Sequence, residues 1–422
     1  MGSTMAEKLL AGPEGPVALS PGDHVVREVD VLMMHDLGTR GVMERLEAMG
    51  VDELYDPDRI VCPMDHVAPS HTVDDANAKT RIREFVDEMG IEHFYEVGTG
   101  IAHNVLYEKG HYRPGDLLIG TDSHTPTAGA FGVAGTGMGH TDVAYAAATG
   151  HTWFRIPETV RFEVSGAFGD RVSTKDLLLH IAGEYGTDVG QYRALEYFGE
   201  AIEDAALEDR ITLTNMAIEL GGKFGFTPVD DAVTDFVDER VDEDEAGDYP
   251  IPEPDEDADY RAVHEIDADE LRPKVAVPHK VGNVVDVDDV VGTDLDQVFV
   301  GSCTNGKFED LKAAAEVLEG KETDPRTRFI VTPASRGVYH RALETGVAET
   351  LTEAGATITN ATCGACIGMG MGVIGEGEVC LAAMNRNFQG RMGADSSEIY
   401  LSSPETAAAS AVTGHIVDPE EV

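Results

Sequence analysis

Three of the five cysteines stand where they could serve one centre. Cys303 lies in Gly301-Ser-Cys-Thr-Asn-Gly-Lys307, between an apolar run at 297–300 and an amphipathic stretch at 309–318. A strand-to-helix turn of that kind gathers backbone N–H groups and the positive end of a helix dipole, which together favour a thiolate. Sixty positions on, Cys363-Gly-Ala-Cys366 can aim two more sulfurs at the same point. Four thiolates would saturate an iron–sulfur cube for electron transfer, whereas three leave one iron open. An open iron is a Lewis acid for a hydroxyl and a carboxylate, and makes hydroxide a feasible leaving group. Taken alone, the CxxC pair suits zinc, redox or plain structural roles better than a cluster. Cys62 and Cys380 have no such partners, and five cysteines are an odd number, which speaks for ligands or buried thiols over disulfides.

Three histidines have carboxylates close in sequence: Asp65-His66, Gly100-Ile-Ala-His103 and Thr121-Asp-Ser-His-Thr125. A carboxylate fixes the imidazole tautomer, and a histidine so oriented can protonate a departing hydroxyl. Any one of them taken singly would be a hydrogen-bonded structural histidine. Two other patterns are decoys. Gly301-x4-Gly306-Lys307 begins like a phosphate-binding loop, but Phe308 stands where a magnesium-binding hydroxyl is needed. A nucleotide-binding protein is therefore the alternative from a different class. Gly135, Gly137 and Gly139 are followed by His140, where a dinucleotide fingerprint needs its third glycine.

The elements that must position these groups read as α/β. Strand patterns fall at 25–34, 117–119, 159–164, 297–300 and 328–332, and helical ones at 41–49, 76–89, 142–150, 174–181 and 309–318. An acidic, proline-containing stretch at 238–259 reads as a connector. At 422 residues the chain exceeds one ordinary core. Three domains are expected, at 1–157, 158–274 and 275–422, the last carrying the cysteines. The 78 acidic against 31 basic residues leave a formal charge of -47, spread along the whole chain. That excludes a nucleic-acid binder, which needs basic patches, and is expected of a protein from a salt-rich cytoplasm. No apolar run approaches 18 residues and Met1 to Lys8 hold no apolar signal core, so a cytoplasmic protein without a membrane span is expected.

Six ordered motifs carry a resemblance: Asp65-His66, GTDSHT at 120–125, NMAIE at 215–219, GSCTNG at 301–306, CGACIG at 363–368 and NRNFQGR at 385–391. Their order and spacing resemble the aconitase superfamily from Ala6 almost to the C-terminus. The run from Asn385 to Gly393 looks most like its archaeal isopropylmalate dehydratase and homoaconitase branch. The resemblance implies three aconitase-type α/β domains packed around a 4Fe-4S cluster held by Cys303, Cys363 and Cys366, with one iron lacking a protein ligand. It implies the pairs Asp65 with His66, Asp122 with His103, and Glu219 with His124. Asn215, Asn385, Arg386, Arg391 and Ser123 would line the site, the arginines gripping substrate carboxylates in bidentate fashion.

The implied reaction is dehydration and rehydration of a hydroxy di- or tricarboxylic acid. The first expectation is isomerisation of 2- and 3-isopropylmalate in leucine biosynthesis, with homocitrate or a methylmalate (citramalate) as alternatives. The family's base resembles a serine in a Ser-Ser-Arg motif of a separate swivelling domain. Here Ser402-Ser403 precedes Pro404, so the swivel domain is expected to be absent and a small partner subunit to bring the serine. Leu-Gly-Thr-Arg-Gly at 37–41, Ala365, Met369 to Met371 and Met384 depart from the family pattern. A changed side-group pocket and simple packing drift explain these departures equally well.

Overall fold

The computed structural model describes residues 2–12, 19–241 and 246–422. Met1 and the acidic run Asp242-Glu243-Asp244-Glu245 lie outside the described residues, and with them part of the connector expected at 238–259. Three main sheets carry the fold, and each draws its strands from one stretch of chain. The first has five strands in the order His93–Tyr95, Ile60–Pro63, Val31–Met33, Leu117–Gly120, Ala134–Gly137, all parallel. The second has four, Phe224–Phe226, Ala194–Phe198, Thr159–Ser165 and Ala262–Asp267, again all parallel. The third has seven. Its parallel centre is Glu398–Leu401, Val379–Ala383, Gln297–Val300, Arg328–Val331 and Thr357–Ile358, with Lys274–Ala276 and Val284–Asp286 added antiparallel at one edge.

Parallel strands covered on both faces are near-continuous apolar runs. Gln297–Val300, Leu117–Gly120 and Ala194–Phe198 are accordingly buried at every position. The helices between strands start on side-chain caps: Thr72 with Asp75 for Val73–Met89, and Ser173 with Asp176 for Thr174–Glu184. The cores run across the sheets. Phe198, Phe224 and Phe226 of the second sheet pack with Leu117 and Ile119 of the first. Phe299 of the third and Phe162 of the second share a core with Met384 and with Leu177 of the helix Thr174–Glu184. Among the described residues, no helix is long and apolar enough to cross a membrane.

Two elements differ from the sequence reading. The single strand expected at 25–34 is two strands in different sheets, His24–Glu28 and Val31–Met33. Asp30 breaks the run, because its carboxylate and its backbone N–H both bond to the backbone of Leu117. The helix expected from 41 begins at Asp36. Gly38 and Gly41 disguise its first turns, since glycine is a poor helix former. A Cβ at Gly38 would meet the Thr121 side chain at 2.2 Å, and one at Gly41 the His140 ring at 2.1 Å. Close packing selected those glycines, at the expense of helix propensity.

Candidate active site

The candidate residues come from the carboxyl ends of parallel strands in two sheets, the place where such sheets leave a crevice. In the first sheet, Val31–Met33 leads to His35 and Asp36, Ile60–Pro63 to Asp65 and His66, and Leu117–Gly120 to Asp122, Ser123 and His124. In the third, Gln297–Val300 leads to Cys303, and Val379–Ala383 to Asn385 and Arg386. Asn215 ends the helix Leu207–Asn215, and Glu219 sits in the 3-10 turn Met216–Leu220 that follows.

Each histidine meets a carboxylate. His66 Nδ1 is 2.7 Å from Asp65 Oδ1 and its Nε2 is 3.4 Å from Asp122 Oδ2. His103 Nε2 lies 2.9 Å from Asp122 Oδ1, and His124 Nε2 lies 3.0 Å from Glu219 Oε1. The other Asp65 oxygen accepts the Ala102 N–H at 2.7 Å, which aims the carboxylate. Burial works against charge on His66, yet Asp65 and Asp122 outweigh it and hold its pKa well above the ordinary histidine value. Burial likewise opposes ionisation of Asp122, but its bonds to His103, His124 and His66 keep it well below the usual carboxylate range.

The arginines join the same constellation. Arg386 donates through Nε to Glu219 Oε1 at 2.6 Å and through Nη2 to Ser123 Oγ at 3.0 Å. Arg391 lies beside Cys366, where its charge favours the thiolate, and its buried Nε has no hydrogen-bond partner among the described residues.

All five cysteines are buried and free. Asn215 and Asn385 donate side-chain N–H groups to Cys303 Sγ at 3.3 and 3.4 Å, and the Cys366 thiol is 3.2 Å from Asn385 Oδ1. The Cys363 backbone N–H bonds to the Asp65 carbonyl at 3.0 Å, tying the cysteine turn to the His66 loop. The expectation that the turn alone favours a thiolate at Cys303 does not hold. The helix there is only Ser302–Asn305, too short for a useful dipole, and burial pushes the thiol up to about 12. Ser302 takes φ 73°, a left-handed conformation rare for a residue with a Cβ, so the turn is held by its surroundings. Between the other two, the hydrogen bond from Cys363 and the charge of Arg391 draw Cys366 down, while Cys363 is raised.

The profile of the aconitase family (aconitate hydratase) matches residues 16–294 and 288–414. The chain belongs to the aconitase family. A relative from Methanopyrus kandleri named 3-isopropylmalate dehydratase large subunit 1 is 51% identical over 420 residues, 99% of each chain. One from Methanosarcina mazei named probable methanogen homoaconitase large subunit is 46% identical over 94% of this chain and all of its own. Among solved structures, Thermococcus kodakaraensis aconitase X (holo-form) aligns with 86% of this chain and 84% of its own at 13% identity and a TM-score of 0.49.

Several residues read above as departures from the family pattern have defined places. Residues 37–41 form the start of the helix Asp36–Met49, and Met384 is fully buried. Met369 and Met371 are exposed. Three groups in or behind the crevice escaped the sequence reading as site residues. His35 stacks on His66 with ring centroids 4.1 Å apart. Lys79 binds Asp36 at 2.7 Å, and Asp36 accepts the His66 and Val67 N–H groups at 3.1 and 3.2 Å. Lys175 reaches Asn305 and Met384 from another sheet. His35 adjoined a run already noted, but no local pattern distinguishes Lys79 or Lys175 from a surface lysine.

Proposed function

We propose that this chain is the large subunit of a 3-isopropylmalate dehydratase, a cytoplasmic hydro-lyase of leucine biosynthesis that interconverts 2- and 3-isopropylmalate by removing and re-adding water. The observation that carries the chemistry is the convergence of three buried cysteines and three histidine–carboxylate pairs on one crevice. Full-length 51% identity to a protein of that name supports the substrate.

The donor set fits a 4Fe-4S cluster on Cys303, Cys363 and Cys366. Among the described residues, the one set of three or more such donors all within 4.8 Å of one another is His35, Asp36, Asp65 and His66, so the three cysteines together are not gathered closely enough for a single ion. A cube of four irons is larger. When bound, the cluster would supply a Lewis-acidic iron without a protein ligand, to polarise the substrate hydroxyl and a carboxylate. Asn215 and Asn385, which donate to Cys303, are suited to hold that sulfur as a thiolate.

The chain's own residues then do three jobs. Arg386, fixed by Glu219 and Ser123, offers its remaining N–H donors to a substrate carboxylate, and Arg391 offers a second fork. Asp65 and Asp122 favour the protonated form of His66, which passes a proton from Nε2 to the departing hydroxide, releasing water. The pairs His103–Asp122 and His124–Glu219 orient this network. Removal of the proton from the adjacent carbon completes the double bond, and water returns with hydroxyl and hydrogen exchanged.

That carbon proton is assigned to a serine of a small partner subunit. The relatives are named large subunits. In this chain Ser403 caps the helix Pro404–Thr413, and both Ser402 and Ser403 are fully buried, which leaves neither free as a base. Exposed Met369, Met371, Val373 and Phe388 lie on two segments joined by the Ile374–Gly393 bridge, and suit a docking surface for that subunit. We assign three domains at 1–157, 158–274 and 275–422.

Homoaconitase is the second reading, favoured by the Methanosarcina mazei relative. The test is anaerobic assay of the reconstituted chain, alone and with its small subunit, on isopropylmalate, homocitrate and citramalate. Turnover of isopropylmalate only with the partner is expected. Preferential turnover of homocitrate would move the substrate, and full activity from the isolated chain would remove the partner.

A further inference from the structure

Lys175 is a cation in an unfavourable place. It is 1% exposed and stands in the first turn of Thr174–Glu184, where the helix dipole repels positive charge. Among the described residues its ammonium bonds only neutral groups: Asn305 Oδ1 at 3.1 Å, the Met216 sulfur at 3.3 Å and the Met384 carbonyl. No carboxylate of the described residues lies within 4.0 Å of it. The nearby Asp310 is taken, receiving the Lys307 ammonium at 2.8 Å, the Lys307 N–H at 2.9 Å and Asn305 Nδ2 at 3.0 Å. Asp176, the next residue of the helix, adds a favourable charge, but its carboxylate accepts the Ser173 and Lys274 N–H groups at 3.0 and 2.8 Å. A buried cation without a direct ion pair is costly unless something negative comes to meet it.

Its partners identify what that is. Asn305 shares the short helix Ser302–Asn305 with Cys303, and Met384 adjoins Asn385, which touches Cys303 and Cys366. Lys175 thus reaches from the second sheet's helix to both segments of the third sheet that shape the cysteine nest. Cys366 is near enough for a charge there to act on Lys175. Burial, helped by the Lys307 charge and only partly offset by Asp310 and Asp176, lowers the lysine to about 7, and three thiolates brought in with a cluster would oppose that pressure.

We propose that Lys175 is a positioning residue of the cluster site, bracing the Cys303 helix against the Asn385 segment and supplying the positive charge that balances the buried thiolates. This rests on the cluster reading above. Cluster potentials depend on net charge and on the field around the sulfurs. Removing a nearby cation favours the oxidised, less negative state of the cluster.

The test is an EPR-monitored reductive titration of the anaerobically reconstituted holoprotein, parent against K175M and K175Q, with iron counted in each. Both variants are expected to shift to a more negative potential. A merely structural brace predicts otherwise for K175Q, whose amide keeps a donor for Asn305 and Met384. K175Q at the parent potential with full iron overturns the inference and leaves the cluster reading intact. A parent chain that takes up no cluster overturns both. Should K175M not fold, K175Q decides.

Discussion

Replacing Lys79 by methionine tests how the His66 loop is held. Lys79 and Asp36 are each 3% exposed, and their 2.7 Å contact is the only ion pair Lys79 makes among the described residues. Removing one partner of a buried pair strands the other charge, at about 3–5 kcal/mol. Asp36 would keep the His66 and Val67 N–H groups at 3.1 and 3.2 Å, so the lower end, about 3 kcal/mol, is expected. The neutral double variant D36N/K79M strands no charge and should recover more than half of that loss. Asp36 is depressed well below the usual carboxylate range: burial opposes this, and His35, His66 and Lys79 outweigh it. A depressed carboxylate stabilises the fold above its unfolded pKa of about 3.9 and loses that contribution as pH falls. The measurement therefore belongs at pH 7, as urea unfolding followed by near- and far-UV circular dichroism. K79M within about 0.5 kcal/mol of the parent, the scatter of ordinary surface changes, would refute the reasoning. So would a double variant no more stable than K79M.

Anaerobically purified C303S, C363S and C366S should lose their iron while C62S and C380S keep it, as read by iron analysis and visible absorbance; a full cluster in C303S would overturn the ligand set. With a formal charge of -47, melting should occur at a lower temperature in dilute buffer, where the Debye length grows to about 30 Å at 0.01 M, than in molar KCl, and equal midpoints would count against salt adaptation. Glu196 is fully buried and accepts from the Met5 N–H at 2.8 Å and the Tyr260 hydroxyl at 2.9 Å, and burial raises it to about 7. Its folded form therefore holds a proton that the unfolded chain releases near pH 4.5, and stability from that proton is lost as pH rises towards 7. The E196Q midpoint should gain on the parent between pH 5 and pH 8, and a constant gap would show that Glu196 does not titrate there.

Motifs and periodicity reveal different things. Family membership was legible because GTDSHT, GSCTNG and CGACIG are runs of adjacent residues whose order survives in one dimension. The α/β class was legible because buried parallel strands are mostly apolar, as at 298–300. Element limits were less so. Gly38 and Gly41 weakened the apparent start of a helix because their reason lies in Thr121 and His140, some eighty to a hundred residues away. The thiolate argument for Cys303 failed for a related cause: the turn was read correctly, but burial, which dominates its pKa, has no local signature.

By itself, then, the sequence determined the family, the layered α/β architecture and which residue types were available for chemistry, since these depend on composition, local pattern and contiguous motifs. Only the tertiary structure decided that strand ends from two sheets share one crevice with Asn215 and Glu219. It also decided that Asp36 answers to Lys79, and that Lys175 lies beside the cysteine nest without a carboxylate. Those are facts of burial and of contacts between residues 43 to 297 positions apart. Desolvation, which sets the worth of every charge in the site, exists only once the chain has closed around it.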